Sequence, residues 1–189
     1  MDAAMNGALG NTALGHNSLT GLVEGDYNTA IGHSALYNNT DGYKNTAIGY
    51  ASLYNYNEGT NTEGFNVVVG ADAAFYVSTG EKNTFIGAES GLGSSGNGLT
   101  AAGNTAVGYQ SGKLLRTTAT SNTLVGEIAG STITTGTTMT LIGSTTAPSG
   151  ITGTNQTVIG YGVTGVGDNS VTLGNASVTA VYMASDSGA

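Results

Sequence analysis

A five-residue phrase of alternating polar and apolar positions recurs along the chain. In Asn45-Thr46-Ala47-Ile48-Gly49 the alternation has the period of two that is typical of a β-strand, with Thr46 and Ile48 on one face and Ala47 on the other. Successive phrases are separated by 17, 17, 21, 17, 21, 18, 17, 17 and 14 residues. This spacing predicts one array of repeated structural units. The phrases begin at Asn11, Asn28, Asn45, Asn66, Asn83, Asn104, Asn122, Met139, Gln156 and Ser170.

Glycine occupies the fifth position of every phrase. Because glycine tolerates a positive φ and has no Cβ to crowd a tight bend, we expect it to end each strand. The side-chain amide at the first position is predicted to bond to its own backbone at a turn or to the Asn one coil away. The repeat-turn glycines are Gly15, Gly32, Gly49, Gly70, Gly87, Gly108, Gly126, Gly143, Gly160 and Gly174.

The second half of each unit is also in register. Eight positions after the first residue of the phrase come Leu19, Leu36 and Leu53, and nine positions after it come aromatic residues such as Tyr37 and Tyr54. Two short strands in such a unit make one coil of a β-solenoid, whose equivalent residues stack about 4.8 Å apart. The sequence therefore predicts an all-β fold of about ten coils, a rod about 45–50 Å long by the same spacing.

The predicted coil is thin, which favours association. We expect the Ile residues to face the core, and we expect much of the Ile, Leu and Val surface to stay half covered in a single chain. A parallel homotrimer about an axis along the rod would cover the second apolar face.

Composition and charge exclude several classes of protein. The 189-residue chain has 32 Gly, no Cys, no Trp, 8% charged residues and a formal net charge of -8. Four basic residues are too few for a nucleic-acid footprint, so we expect no nucleic-acid partner. No apolar run approaches the roughly 18 residues of a membrane span, so no membrane insertion is expected. The amino-terminal segment does not have the pattern of a secretory signal.

The repeated phrase resembles the repeats of bacteriophage tail fibres. It extends as NTAIG-x-x-A/S-L over Asn28 to Leu36 and over Asn45 to Leu53, and it is also similar to the head repeats of trimeric autotransporter adhesins. The segment from Asn169 to Ala189 resembles the neck that precedes the intramolecular chaperone of endosialidase-type phage fibres. These resemblances imply a trimeric fibre, with a repeat array at 1–168 and the last repeat with a carboxyl-terminal neck at 169–189.

Candidate catalytic and metal-binding residues are weakly supported. His16 and His33 fall in one column of the repeat and could share a metal ion, but no cysteine or carboxylate column completes a ligand set. Carboxylates cluster beside glycines two to four residues before the phrase, which is typical of solvated turns rather than of a glycosidase pair. We expect no enzyme activity, no metal and no cofactor. These carboxylates are Glu24, Asp26, Asp41, Glu63 and Glu81.

Tyrosine is the best indicator of a binding surface. Tyr43, Tyr50 and Tyr56 are candidates for stacking on sugar rings. Tyr37, Tyr54 and Phe75 share one register and are predicted to form a structural aromatic ladder. Residues 56–63 and 94–102 contain the insertions that lengthen two units, and they are expected to bulge as loops.

Two functional hypotheses follow. The first is a stiff shaft segment of a phage tail fibre in the extracellular virion, with other fibre or virion proteins and host-surface polysaccharide as partners. The alternative is a bacterial adhesin head or a self-assembling filament subunit at the cell surface. Thr-rich solenoids can also bind ice, but the phrase supplies one Thr per coil, on the face expected to hold the core Ile.

Overall fold

The chain folds into a β-solenoid whose coils each contribute one strand to a single parallel sheet. The computed structural model describes residues 8–57, 63–95 and 100–181. Ten strands pair in chain order, so the predicted fold class and the ten-unit array are confirmed. No helix in the described ranges is long and apolar enough to cross a membrane. The strands are β1 (Thr12–Leu14), β2 (Thr29–Ile31), β3 (Thr46–Ile48), β4 (Val67–Val69), β5 (Thr84–Ile86), β6 (Thr105–Val107), β7 (Thr123–Val125), β8 (Thr140–Ile142), β9 (Gln156–Ile159) and β10 (Ser170–Leu173).

The longer units keep the register of the sheet. Thr46 pairs with Val67 and Ile48 with Val69, although these residues are separated by an inserted segment. The insertion is therefore accommodated outside the strands. The predicted loops lie partly at 58–62 and 96–99, and the predicted neck lies partly at 182–189, which are outside the described residues.

The second half of each coil is made of stacked turns rather than of a second strand, so the prediction of two strands per coil is wrong. Ser34 and Leu36 both have left-handed backbone conformations, with φ of 57° and 51°. These conformations reverse the chain over a few residues, which lets a short unit return to its starting point. The turns still bond from coil to coil, as when Leu36 donates its backbone N–H to the Ser52 carbonyl at 3.1 Å.

The middle residue of each strand faces the core, and the two flanking residues face outward. Ala47 is fully buried, whereas Thr46 and Ile48 are partly exposed. The alternation was predicted correctly, but the assignment of Ile to the core is wrong. The narrow interior is filled from the opposite side by turn residues such as Leu53, which leaves room for only one residue of each strand.

In the coils of β3 and β5 the two sides of the interior compensate each other in volume. Ala47 in β3 lies in the coil whose turn supplies Leu53, whereas the larger Phe85 in β5 lies in the coil whose turn supplies Gly91. A Cβ added at Gly91 would come within 2.7 Å of the Phe85 ring. In these two coils a large residue on one side of the core is matched by a small residue on the other, which maintains the packing density.

The repeat-turn glycines are required by the stacking of the coils. Gly49 and Gly87 have φ of 136° and 127°, a region that side chains with a Cβ rarely adopt. An added Cβ at Gly87 would also collide with the carbonyl oxygen of Gly108 in the next coil. The predicted reason for the glycines is confirmed, because both the φ angle and the close approach exclude a side chain.

The Asn residues at the first position form a buried ladder. The backbone N–H of Asn45 donates to Oδ1 of Asn28 at 3.0 Å, and the same oxygen accepts a longer bond from Asn45 Nδ2 at 3.3 Å. Asn66 Nδ2 reaches across to the Gly80 carbonyl at 2.9 Å. Of the two predicted roles, the bond to the Asn one coil away recurs at each Asn from Asn28 to Asn122. A bond to the local backbone is added at Asn45 and Asn104.

Candidate functional surfaces

The outward side of the sheet carries two uncharged columns, which we call the outer face. One column consists of Thr, with Val in two strands, and the other consists of Ile, Val and Leu throughout. In the second column, Ile86, Ile142 and Leu173 are 38%, 39% and 40% exposed. The Thr column is Thr12, Thr29, Thr46, Val67, Thr84, Thr105, Thr123, Thr140, Thr157 and Val171, and the aliphatic column is Leu14, Ile31, Ile48, Val69, Ile86, Val107, Val125, Ile142, Ile159 and Leu173.

The outer face is unusual for a solvent-exposed surface. Parallel sheets are normally covered on both faces, and their strands are then apolar on both sides. Here one face is covered by the turns, and the other presents a continuous aliphatic stripe across all ten strands. Extended apolar patches on a folded chain mark sites of interaction.

Two aromatic columns run along the turns that follow the strands. His16, His33 and Tyr50 stack with ring centroids 5.1 Å and 5.4 Å apart. Tyr37 and Tyr54 stack at 4.9 Å, and Tyr54 continues onto Phe75 at 4.8 Å. The rings of the second column are within 4° of parallel, which is the geometry of the predicted ladder.

The three tyrosines proposed to contact sugars lie in different environments. Tyr50 is exposed, with 57% of its surface accessible, and it ends the histidine stack. Tyr43 is half-buried, and both partial burial and the neighbouring carboxylates, first Asp26, raise the pKa of its hydroxyl. Tyr56 is fully buried in the core, so its assignment to a binding surface is wrong because no external ligand can reach its ring.

A surface groove lies at the end of the aromatic ladder. It has a volume of about 330 Å³ and is lined by Asp72, Phe75, Tyr76, Glu89 and Leu92. Tyr76 meets Phe75 edge to face, with the ring planes at 71° and the centroids 4.8 Å apart. The groove therefore combines an apolar lining of two rings and Leu92 with two carboxylates.

The two carboxylates of the groove differ in their partners. Glu89 Oε2 accepts hydrogen bonds from Lys113 Nζ at 2.6 Å and from Gln110 Nε2 at 2.9 Å. The bond from Lys113 is the main cause that lowers the pKa of Glu89. The Asp72 carboxylate has no hydrogen-bond or ion-pair partner among the described residues, and partial burial, with a smaller contribution from Glu89, raises its pKa.

The sequence prediction missed this groove, although a signal was present. Asp72 and Glu89 are both the second residue after a repeat-turn glycine, in the segments GAD and GAE of successive units. Phe75 follows three residues after Asp72. Aligning the units by their glycines would have brought both carboxylates into one column beside the ladder.

The acidic turns have local structural partners. Asp26 Oδ1 accepts a hydrogen bond from the Leu9 backbone N–H at 2.6 Å, and Glu63 forms an ion pair with Lys44. Glu81 pairs with Lys82 at 2.7 Å. Within the described parts of the chain, no group of three or more His, Asp or Glu side chains could hold a metal ion.

The pair of His33 and Ser34 has the geometry of a hydrogen bond. Ser34 Oγ lies 2.9 Å from His33 Nδ1. The other contacts of the His33 ring are the stacked rings of His16 and Tyr50. Ser34 is also buried, with 5% of its surface exposed. The pair therefore joins neighbouring side chains in the stack.

Comparison with known proteins adds no relative. No protein-family model matches the chain, and no match was found among curated proteins or solved structures. What is established is a β-solenoid built from repeats of about 17 residues.

Proposed function

We propose that this chain is a stiff shaft segment of a trimeric phage tail fibre, with a structural and non-enzymatic role. The observation that carries the proposal is the outer face, which has two side-chain columns without a charge along the whole sheet. A second copy of the same chain is the occupant that matches this face in length, repeat spacing and lack of charge. Two copies of the chain have the same spacing between coils, so equivalent Thr and aliphatic residues can meet in every coil of the sheet.

Three-fold symmetry about an axis parallel to the rod suits this surface. A parallel arrangement keeps equivalent coils at the same height, so the aliphatic column of each copy remains in contact along the entire sheet. Burial of that column removes apolar surface from water, at about 25 cal/mol for each Å². The charged residues lie mainly in turns and remain solvated, which limits further side-by-side association.

The tail-fibre assignment rests on the repeated phrase as well as on the face. The phrase NTAIG-x-x-A/S-L resembles the repeats of phage fibres, and each copy adds one coil to the rod. We place the protein in the virion, with other fibre or virion proteins as its neighbours. Tyr43 and Tyr50 are proposed contacts for host-surface polysaccharide, because the exposed ring of Tyr50 and the half-buried ring of Tyr43 both retain accessible aromatic surface that can stack on a sugar ring.

The test is the molar mass in solution of the wild type and of a charged variant of the outer face. Light scattering after size exclusion should give three times the chain mass of 18.7 kDa for the wild type. Val107→Lys places a charge in the middle of the aliphatic column and should dissociate the assembly. Thr132→Lys, at an exposed turn position outside the sheet, is the matched control and should retain the wild-type mass.

Two outcomes would contradict the shaft proposal. One is a wild-type protein with the mass of a single chain, and the other is a Val107→Lys variant with an unchanged mass. An adhesin head would use the same face, so the mass does not distinguish it from a tail fibre. The full gene distinguishes them: a virion-attachment domain would favour the phage fibre, and a membrane-anchoring barrel would favour the adhesin.

Ice binding is the second candidate, because the Thr column lies on the exposed side of the sheet. The objection that Thr shares a face with the core does not hold, since Thr46 and Ile48 both face outward. An ice binder must expose this face as a single chain. Thermal hysteresis by a single-chain protein, abolished by Thr105→Lys, would support ice binding over the shaft.

A further inference from the structure

The groove at the end of the aromatic ladder combines two features that recognise sugars. Phe75, Tyr76 and Leu92 provide apolar lining, and Asp72 and Glu89 provide carboxylate oxygens as acceptors in the same groove. The C–H face of a sugar ring packs on aromatic surface, while its hydroxyls donate to carboxylate oxygens. The volume of about 330 Å³ is at the lower end of the range of roughly 300–1,000 Å³ for small-molecule sites, which suits a short saccharide.

Free acceptor capacity is available on the carboxylates of the groove. Both hydrogen bonds to Glu89 end on Oε2, so Oε1 has no partner among the described residues. The Asp72 carboxylate is likewise without a donor in the described ranges. A partly buried carboxylate without a donor is unfavourable, and the raised pKa of Asp72 reflects that burial. A ligand that donates hydrogen bonds would satisfy these oxygens.

The charge around the groove indicates a neutral ligand. The two carboxylates repel anionic sugars, and the chain as a whole has a formal net charge of -8. Lys113 already neutralises Glu89 at 2.6 Å, which leaves one uncompensated charge and weakens the attraction for cations. Hydroxyl groups donate without adding charge, so they complement these acceptors better than a phosphate, a sulfate or a sialic acid.

We infer that the groove formed by Asp72, Phe75, Tyr76, Glu89 and Leu92 binds a neutral hexose unit of a polysaccharide. The sugar ring packs against Phe75 and Tyr76, and its hydroxyls donate to Asp72 and to Glu89 Oε1. Lys113 and Gln110 orient the Glu89 side chain. All lining residues lie in the turns after β4 and β5 and none lies in a strand, so binding does not require the outer face or the trimer.

The experiment titrates the folded protein with neutral and charged probes. The neutral probes are trisaccharides of glucose, mannose and galactose, and the charged probes are sialyllactose and tetramethylammonium chloride. Amide chemical shifts identify the site, and their concentration dependence gives Kd. At least one neutral trisaccharide should shift the signals of residues 72–76 and 89–92, whereas neither charged probe should shift them.

Variants connect binding to the named atoms. Asp72→Asn keeps the shape of the side chain but removes its charge, and it should raise Kd about tenfold, the effect expected for a hydrogen bond to a charged group. Tyr76→Ala should weaken binding to a similar extent, whereas Tyr161→Ala, at a residue with 74% exposure outside the groove, should leave Kd unchanged. The dispersion of the amide spectrum checks that each variant is folded.

Three results would overturn the inference. The first is the absence of shifts in the groove with the whole neutral panel. The second is a preference for tetramethylammonium or sialyllactose over the neutral sugars. The third is an unchanged Kd in folded Asp72→Asn. Val107→Lys separates this inference from the shaft proposal, because a dissociated but folded variant should still bind the sugar with the wild-type Kd.

Discussion

The first seven coils and the last three coils have the same strand pairing and glycine bend, but different side chains stabilise them. From Asn28 to Asn122, each first-position Asn is buried and is bonded to the Asn of the preceding coil. At β8 the ladder ends on Met139, a buried apolar residue whose backbone N–H still donates to Asn122 Oδ1 at 3.0 Å. The strand register continues without a shift.

The last coils replace the ladder with a local polar cluster. Gln156 Nε2 donates to Ser149 Oγ and to Asp168 Oδ1, both at 2.8 Å. Asp168 also accepts the backbone N–H of Thr154 at 2.8 Å. The comparison shows that the glycine bend and the strand pairing define the coil, while the interior first positions accept Asn, Met or Gln as long as buried polar groups are satisfied.

The largest effect should come from the feature that both regions share. Gly87→Ala in the ladder region and Gly143→Ala in the last coils each force a Cβ against the carbonyl of the next coil, at φ of 127° and 129°. Each should lower the free energy of unfolding by about 3 kcal/mol or more. Urea denaturation measures this loss.

Gly150→Ala is the matched control, because an added Cβ meets no atom within 4 Å. It should change the stability by less than about 0.5 kcal/mol. If Gly87→Ala were as stable as this control, the claim that the coils require a bare glycine would fail.

A smaller difference should separate the regions at the first position. Asn83→Leu removes the acceptor of the Asn104 backbone N–H and the donor to the Ala101 carbonyl, and it should cost about 3 kcal/mol. Met139→Leu replaces one buried apolar side chain by another and should cost less than about 1.5 kcal/mol. Thermal and urea unfolding of the two variants give the comparison, and equal losses would show that the ladder contributes no more than apolar packing.

The smallest effect should be a pH dependence that arises from the polar cluster of the last coils and has no counterpart in the Asn ladder. The hydrogen bond from Thr154, and then that from Gln156, lowers the pKa of Asp168 below its ordinary value of 3.8. Because the folded pKa is the lower one, the contribution of Asp168 is present above pH 3.8 and is lost as the pH falls through the folded pKa. The neutral amides of the ladder do not titrate.

The measurement is the difference in unfolding free energy between the wild type and Asp168→Asn as a function of pH. The difference should be constant near neutrality and should shrink in acid. A difference that stays constant to the lowest pH at which the protein remains folded would contradict the role of the Asp168 charge.

The sequence predicts the repeat better than it predicts the orientation of its side chains. The phrase beginning at Asn45 gives the strand, the glycine and the register correctly, because alternation and bends are local properties of the backbone. It does not reveal that Ala47 rather than Ile48 faces the core, since both are apolar. That choice depends on Leu53, which fills the interior from the opposite side of the coil.

The turns and the groove were missed for a related reason. Leu36 is an apolar residue of a type expected in a strand, but it adopts a left-handed conformation, with φ of 51°, because the short coil must close. Tyr56 is predicted to lie on a binding surface, but it is fully buried. Asp72 and Glu89 meet only when successive units are stacked, so their relation is visible in three dimensions or in an alignment of the units.

The most direct test of the central claim is cysteine cross-linking across the outer face. The chain has no native cysteine, so Ile159→Cys in β9 and Ile31→Cys in β2 each introduce one thiol. In a parallel assembly, equivalent residues lie at the same height, and oxidised Ile159→Cys should yield linked chains even though β9 is near one end of the rod. Recovery of Ile159→Cys as single chains, or linkage only between Ile159→Cys and Ile31→Cys in a mixture, would contradict a parallel rod joined through this face.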